Sequence, residues 1–232
     1  NVAGTLRDGL LKLTDSGGQP TGELKKIDRQ SPTLGAAPPE GAVVLLDGKS
    51  RDPFTGGGRW IEGLLVMGPG PDGAGKGEAQ SKPQFGSCTL HVEFRTPFMP
   101  AARGQARGNS GVYMQDRYEC QVLDSFGLKG ENNECGGFYQ QFAPSVNMCY
   151  PPLEWQTYDI DFTAAKFDES GKKTAKATAT VRQNGVVIQD HVELAHPTPG
   201  CGLSGKDNAD PGPIQLQGHG NPVFYRNIWI ET

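Results

Sequence analysis

Glu119, Gln121 and Asp124 follow one another in the spacing Glu-x-Gln-x-x-Asp, two acids and an amide within six residues. Such a set can move a proton and hold hydroxyl groups if its members share a face. In a strand, side chains alternate, so Glu119 and Gln121 point one way while Tyr118, Cys120 and Val122 point the other. Asp124 breaks that parity. A β-bulge near Val122-Leu123 is expected to restore it, because one extra residue re-aims everything after it. Asn109 opens the preceding run, which ends at the polar corner Gln115-Asp116-Arg117. Two further runs carry similar groups: Glu93 and Arg95, with His91, alternate with Leu90, Val92 and Phe94, and Gln217 and His219 stand in phase with Gln215. One curved sheet carrying all three runs would gather Glu93, Arg95, Asn109, Glu119, Gln121, Asp124, Gln217 and His219 on a concave face. Tyr139, in the loop from Phe126 to Pro152, adds a ring able to grip the apolar face of a sugar.

Glycoside hydrolysis needs two carboxyl groups about 5–5.5 Å apart for retention or about 6.5–9.5 Å for inversion. Glu119 paired with Asp124 or Glu93 could meet either, with His219 as a further proton carrier. The spacing around Glu119 resembles the Glu-x-Asp-x-x-Glu strand of laminarinase-type glycoside hydrolases, but Gln121 replaces a carboxylate and Asp124 is one methylene short. A longer resemblance runs from Val43 to Glu231 through Leu45-Leu46-Asp47-Gly48-Lys49-Ser50, Asn109-Ser110-Gly111-Val112-Tyr113, Tyr118 to Asp124, Glu154-Trp155-Gln156-Thr157, Leu216-Gln217-Gly218-His219-Gly220 and Phe224-Tyr225-Arg226-Asn227-Ile228. In that order they resemble the 3-keto-disaccharide hydrolase domain family of bacterial exported proteins.

The resemblance implies an all-β, two-sheet antiparallel jelly-roll sandwich of the concanavalin A-like lectin/glucanase type, a carbohydrate partner, export, and cleavage of 3-keto-disaccharides or related glycosides. A ketone at C3 acidifies the C2 hydrogen and sets the C1 substituent β to the carbanion, so elimination followed by water addition becomes possible. That route needs a base near C2, a donor at the enolate oxygen and an acid at the leaving oxygen. Glu119 or His219 is the expected base, and Asn109, Arg95 or Arg226 the expected donor. The alternative is a sugar-binding module of the same fold without catalysis.

The elements that must position these groups read as strands: Ala42 to Leu46, Cys88 to Arg95, Glu154 to Phe162, Ala175 to Arg182, a hairpin at Asn184-Gly185, Ile214 to His219 and Val223 to Ile230. The first 40 residues are punctuated by Gly17-Gly18, Pro20 and Pro38-Pro39, and only Leu10 to Leu13 looks able to pair. An extension over 1–40 and a sandwich domain over 41–232 follow. The net charge of −4 offers no basic field for nucleic acid, and no apolar run approaches a membrane span. No signal peptide stands at Asn1; for an exported protein the leader would lie outside this chain.

Cys135 and Cys149 bracket a Gly/Pro-containing loop and are expected to form a disulfide, Cys88 and Cys120 to be buried thiols, and Cys201 to be left over in a loop. Asp159 and Asp161 are the nearest approach to a calcium site, but two carboxylates without further oxygen ligands do not make one, and no Cys-x-x-Cys pair exists. No metal or cofactor is expected.

Overall fold

The computed structural model describes residues 2–200 and 207–232, and Cys201 lies outside them. The chain divides into Asn1–Gln30 and Ser31–Thr232, ten residues earlier than the composition break at the prolines implies.

The first unit is a three-stranded antiparallel meander, β1 (Ala3–Arg7), β2 (Leu10–Thr14) and β3 (Pro20–Lys25). Asp8-Gly9 turns β1 into β2 with both residues at positive φ, the geometry that a two-residue hairpin requires. The sequence hides this turn because β1 and β3 each carry one leucine among polar residues.

The second unit contains the sandwich. Its strands are β4 (Val43–Leu46), β5 (Phe54–Gly56), β6 (Arg59–Ile61), β7 (Leu64–Val66), β8 (Ala79–Phe85), β9 (Cys88–Arg95), β10 (Ser110–Met114), β11 (Tyr118–Val122), β12 (Gln156–Thr163), β13 (Lys166–Phe167), β14 (Lys173–Ala175), β15 (Ala177–Gln183), β16 (Val186–Leu194), β17 (Gly212–Leu216) and β18 (Phe224–Glu231). One sheet has the order β11-β10-β17-β8-β5. The other runs β16-β15-β12-β9-β18-β7-β6, with β4 also on β18, and β13 and β14 form a separate hairpin. All pairings are antiparallel, and the only helix among the described residues is the single 3-10 turn Gly104–Ala106. The expected jelly-roll sandwich is therefore present.

The alternation seen in the sequence fills the space between the sheets. Leu90, Val92 and Phe94 of β9 meet Val112 and Met114 of β10 and Tyr118, Cys120 and Val122 of β11 in one core. Each such side chain contributes about 1.5–3 kcal/mol through its burial. Polar bonds also cross the core: Tyr158 Oη donates to Gln121 O at 2.6 Å, and Ser110 Oγ lies 2.8 Å from Tyr225 Oη. At the Asn184-Gly185 hairpin both residues take positive φ, as that dipeptide predicts.

Residues 31–36 form a strap that belongs to the sandwich. Ser31 Oγ lies 2.6 Å from Thr157 Oγ1, Thr33 Oγ1 donates to Asp159 Oδ2 at 2.7 Å, and Asn227 Nδ2 donates to Ala36 O at 2.9 Å. These bonds explain why the boundary precedes the prolines.

The pair expected to form a disulfide comes together as thiols: Cys135 and Cys149 hydrogen-bond each other through their sulfurs. Cys88, Cys120, Cys135 and Cys149 are all buried free thiols. Cys135 Sγ lies 3.1 Å from Tyr158 Oη and accepts from Gln183 Nε2 at 3.3 Å, while Cys149 Sγ donates to Leu123 O and Tyr150 O at 3.5 Å. Both sulfurs thus serve the polar bonding of the core. The loop between them is held by its backbone, through Gln121 N to Gly137 O and Gly136 N to Gln121 O.

Candidate active site

From Gly108 to Ser125 every residue is buried. A strand buried on both faces ordinarily reads as a continuous apolar run. Here one face is polar, so its groups must bond to one another.

Cross-strand partners share a face, and the register lays out a row: Glu119 of β11 opposite Tyr113 of β10, Tyr113 opposite Gln215 of β17, and Gln215 opposite Gln80 of β8. On the far side of β11, Phe138 pairs with Cys120 and fills the core. Tyr139, whose N–H donates to Glu119 O at 3.2 Å, opens the turn that follows Phe138. A second row joins Gln121 to Gly111, whose carbonyl accepts from Gln217 N at 2.9 Å.

Gly111 positions the acid. A Cβ there would lie 2.3 Å from Glu119 Oε1 and 2.9 Å from its Cδ, so the carboxyl folds into the space that glycine leaves. Glu119 is 3% exposed, and burial pushes its carboxyl up to about 7 against the opposing pull of a hydrogen bond with Tyr113. Tyr113 Oη also accepts from Gln217 Nε2 at 3.2 Å. With its amide turned to satisfy the two acceptors it faces, Gln121 donates to Ser110 O at 2.8 Å and to Glu119 Oε1 at 2.9 Å. Thr198 Oγ1 accepts from Glu119 N at 3.0 Å and fixes the backbone.

A second acid reaches this face from the β10–β11 turn. Asp116 is fully buried, and its Oδ2 accepts from Gln80 Nε2 at 3.0 Å while the same nitrogen donates to Gln215 Oε1 at 3.0 Å. Arg117 beside it binds Gln115 Oε1 at 3.1 Å and Asp210 O at 2.9 Å. The site is thus two bonded clusters set side by side by the Tyr113–Gln215 register, Glu119 with Tyr113, Gln121 and Gln217, and Asp116 with Gln80 and Gln215.

A model of 3-keto-alpha-glucoside-1,2-lyase-like domains matches residues 41–231. The chain belongs to that family. A candidate glycosyl hydrolase of Parabacteroides distasonis ATCC 8503 is 31% identical over 94% of this chain and 98% of its own, with a TM-score of 0.76. Two further candidate glycosyl hydrolases of that organism match in fold at 16% and 19% identity, with TM-scores of 0.54 and 0.53; they cover 83% and 81% of this chain and 94% and 97% of their own. No curated protein matches. This lyase-like domain is accordingly a carbohydrate-active enzyme of the lectin/glucanase fold class.

Of the residues expected to converge, Glu119, Gln121 and Gln217 do so, and Tyr139 adjoins Glu119 through its backbone N–H. Asn109 adjoins them at the start of β10, where its Nδ2 donates to Gln105 O and its N–H to Asn221 Oδ1, both at 2.8 Å. Asn221 anchors the loop that carries His219, which is exposed two residues beyond Gln217. Asp124 departs from expectation. Val122 and Leu123 are both buried in the core, so parity does break there, but the ladder ends at Val122 and contains no bulge. Asp124 then pairs with Arg107, Nε to Oδ2 at 3.3 Å.

Glu93 and Arg95 lie in the other sheet. Their partners are β12 and β18, and since Leu90, Val92 and Phe94 face the core, both side chains stand on that sheet's outer surface with the core between them and Glu119. Arg226 Nε binds Glu93 Oε2 at 2.7 Å, Asn227 Nδ2 donates to Glu93 Oε1 at 2.9 Å, and His91 Nδ1 lies 2.6 Å from Asp159 Oδ1. Burial opposes its charge, but His91, Asn227, Gly35 and Arg226 hold the Glu93 carboxyl down at about 2. Arg95 stacks between Trp155 and Phe224, 4.9 and 4.7 Å from their centroids. This is a structural network under the strap. Arg226 reaches it because the β18 register shifts between Arg226 and Trp229, with Asn227 at positive φ, so Arg226 leaves the phase of Ile228 and Ile230.

Tyr113, Gln80 and Asp116 join the site without having been expected there. Tyr113 could have been found, since Gly111 and Tyr113 alternate with Val112 and Met114. Gln80 was masked by Pro83, which argues against a strand except at an edge or irregularity, and β8 has a register shift opposite that stretch. For Asp116 a turn acid carries no signal of which way it folds.

Proposed function

We propose that this domain cleaves 3-keto-glycosides by elimination across C1–C2, with Glu119 as the base. The observation that supports this reading is a carboxyl buried beside a tyrosine hydroxyl and poised near neutrality. A base of that kind is strong enough to take a ketone's α-proton and is still ionised in half its copies at pH 7.

Glu119 removes the C2 proton, and the electron pair moves to the C3 oxygen as an enolate. Tyr113, with Gln217 behind it, donates to that oxygen. The enolate then re-forms the C3 carbonyl as C1=C2 forms and the C1–O bond breaks, and the leaving oxygen takes a proton from His219 at the open side of the site. Gln80, Gln215 and Tyr139 hold the ring. Water added to the enone gives the free 3-keto sugar.

The test compares a 3-keto-glucoside with its unoxidised parent, following enone absorbance and deuterium entry at C2. Glu119→Gln keeps shape and removes the base, so turnover should fall by roughly 10²–10⁴ with the fold intact. Full activity in Glu119→Gln, or cleavage of the parent glycoside at equal rate without C2 exchange, overturns the assignment. Sugar binding without turnover in the wild type would make the chain a binding module.

A further inference from the structure

Beyond the end of β11 the chain encloses a second feature that the elimination does not use. A cavity of about 180 Å³ lies over the Arg107–Asp124 pair, walled by Phe98 and Phe126 and closed by Met99, Pro100 and Pro152. Phe98 is 63% and Phe126 52% exposed, two rings left in water at the mouth of one cavity. Single exposed apolar residues are ordinary, but two aromatic rings converging on a concave space are a binding feature.

The lining decides the ligand. Five of its seven residues are apolar, and the two charged ones are turned toward each other: Arg107 commits Nε and Nη2 to Asp124 O at 3.0 and 2.7 Å and Nε to Oδ2 at 3.3 Å, while Asp124 Oδ1 accepts from Phe126 N at 3.4 Å. Arg107 Nη1 is the side-chain donor left over. A sugar ring placed here would lose water from more hydroxyls than that one group can replace, at about 1–3 kcal/mol for each one left unpaired. A planar apolar ring loses none and gains the phenylalanine faces.

Position ties the cavity to the site. Gln121 bonds to the Glu119 carboxyl, and Asp124 follows three residues later, so the chain keeps the two within roughly 10 Å of each other. That is the reach of a group attached to a sugar lying over Glu119. We propose that this cavity is an aglycone subsite for a planar aromatic group, so that the domain takes aryl glycosides in preference to disaccharides. The inference rests on the reading of Glu119's face as the sugar site, and concerns what is attached to that sugar.

Equilibrium binding keeps it separate from the reaction. Calorimetry on the full chain would compare 4-nitrophenyl glucoside, methyl glucoside of the same anomer, and free 4-nitrophenol. The aryl glucoside should bind about tenfold or more tighter than the methyl glucoside, since burying part of a ring is worth that much. The advantage should vanish in Phe98→Ala/Phe126→Ala, whose exposed positions leave the core untouched, with methyl glucoside affinity unchanged. It should survive in Glu119→Gln, so failure of the base assignment leaves this result readable. No measurable aryl binding, equal affinities, or an advantage that persists in the double variant overturns the proposal.

Discussion

Replacing Glu119 by Gln should stabilise the folded protein at alkaline pH even as it lowers turnover. The carboxyl has an ordinary value of 4.5 and is pushed up to about 7 in the fold. Because its folded pKa is raised, the folded state holds this proton more tightly than the unfolded chain does between those two values. The stability contributed is present below pH 4.5 and is lost as pH rises through 7. That difference corresponds to about 3 kcal/mol at full extent, a large part of the stability of a single domain. Gln carries no charge to desolvate, and its oxygen can still accept from Gln121. Urea unfolding of wild type and Glu119→Gln at pH 4, 6 and 8 measures the effect directly. The two should be equal within error at pH 4 and diverge in favour of the variant by up to about 3 kcal/mol at pH 8. A pH-independent difference, or a variant less stable at pH 8, would refute the reasoning that burial holds this carboxyl half-protonated.

Gly111→Ala should cost roughly tenfold or more in turnover, because the new Cβ displaces the Glu119 carboxyl from Tyr113, while a flexible side chain can give way without unfolding the sheet; a steady-state assay beside a thermal melt separates the two. Glu93→Gln should lower stability by roughly 3–5 kcal/mol, since it leaves Arg226 without its charge partner, and should leave the turnover of the folded fraction unchanged. The depressed Glu93 pKa also places part of the wild type's acid unfolding between pH 4.5 and about 2, and that part should be missing from the variant. Native-state alkylation should leave Cys135 and Cys149 unmodified, and alkylation after unfolding without reductant should label both; a Cys135–Cys149 peptide in the mass map counts against the free thiols.

Alternation made most of the sandwich legible. Cys88 to Arg95 and Tyr118 to Val122 form strands with the predicted faces inward, and Asn184-Gly185 makes the predicted turn. What alternation does not carry is which sheet a strand joins. A sandwich has two outer faces, and a polar phase says only that a side chain avoids the core. Glu93 and Glu119 are equally polar by phase, yet strand order puts them on opposite surfaces. Asp124 was misplaced for a related reason: the break at Val122-Leu123 was legible, but an inserted residue and the end of a strand look alike in sequence. Asp116 reached the site through the geometry of one turn, and the strap from Ser31 through side-chain bonds to strands more than a hundred residues away.

The unbroken burial of residues 108–125 has a consequence for how the site can be watched. β10 is hydrogen-bonded on both edges by β11 and β17, and β11 by β10 and by Gly136 to Tyr139. Amides held in this way exchange with solvent only through the rarest openings of the molecule, so the floor under Glu119 belongs to its slowest-exchanging unit. Deuterium labelling in the presence of a ligand should then show protection in the rim loops carrying Phe98, Phe126 and His219, while the peptides bearing Glu119 and Gln121 stay dark with or without it.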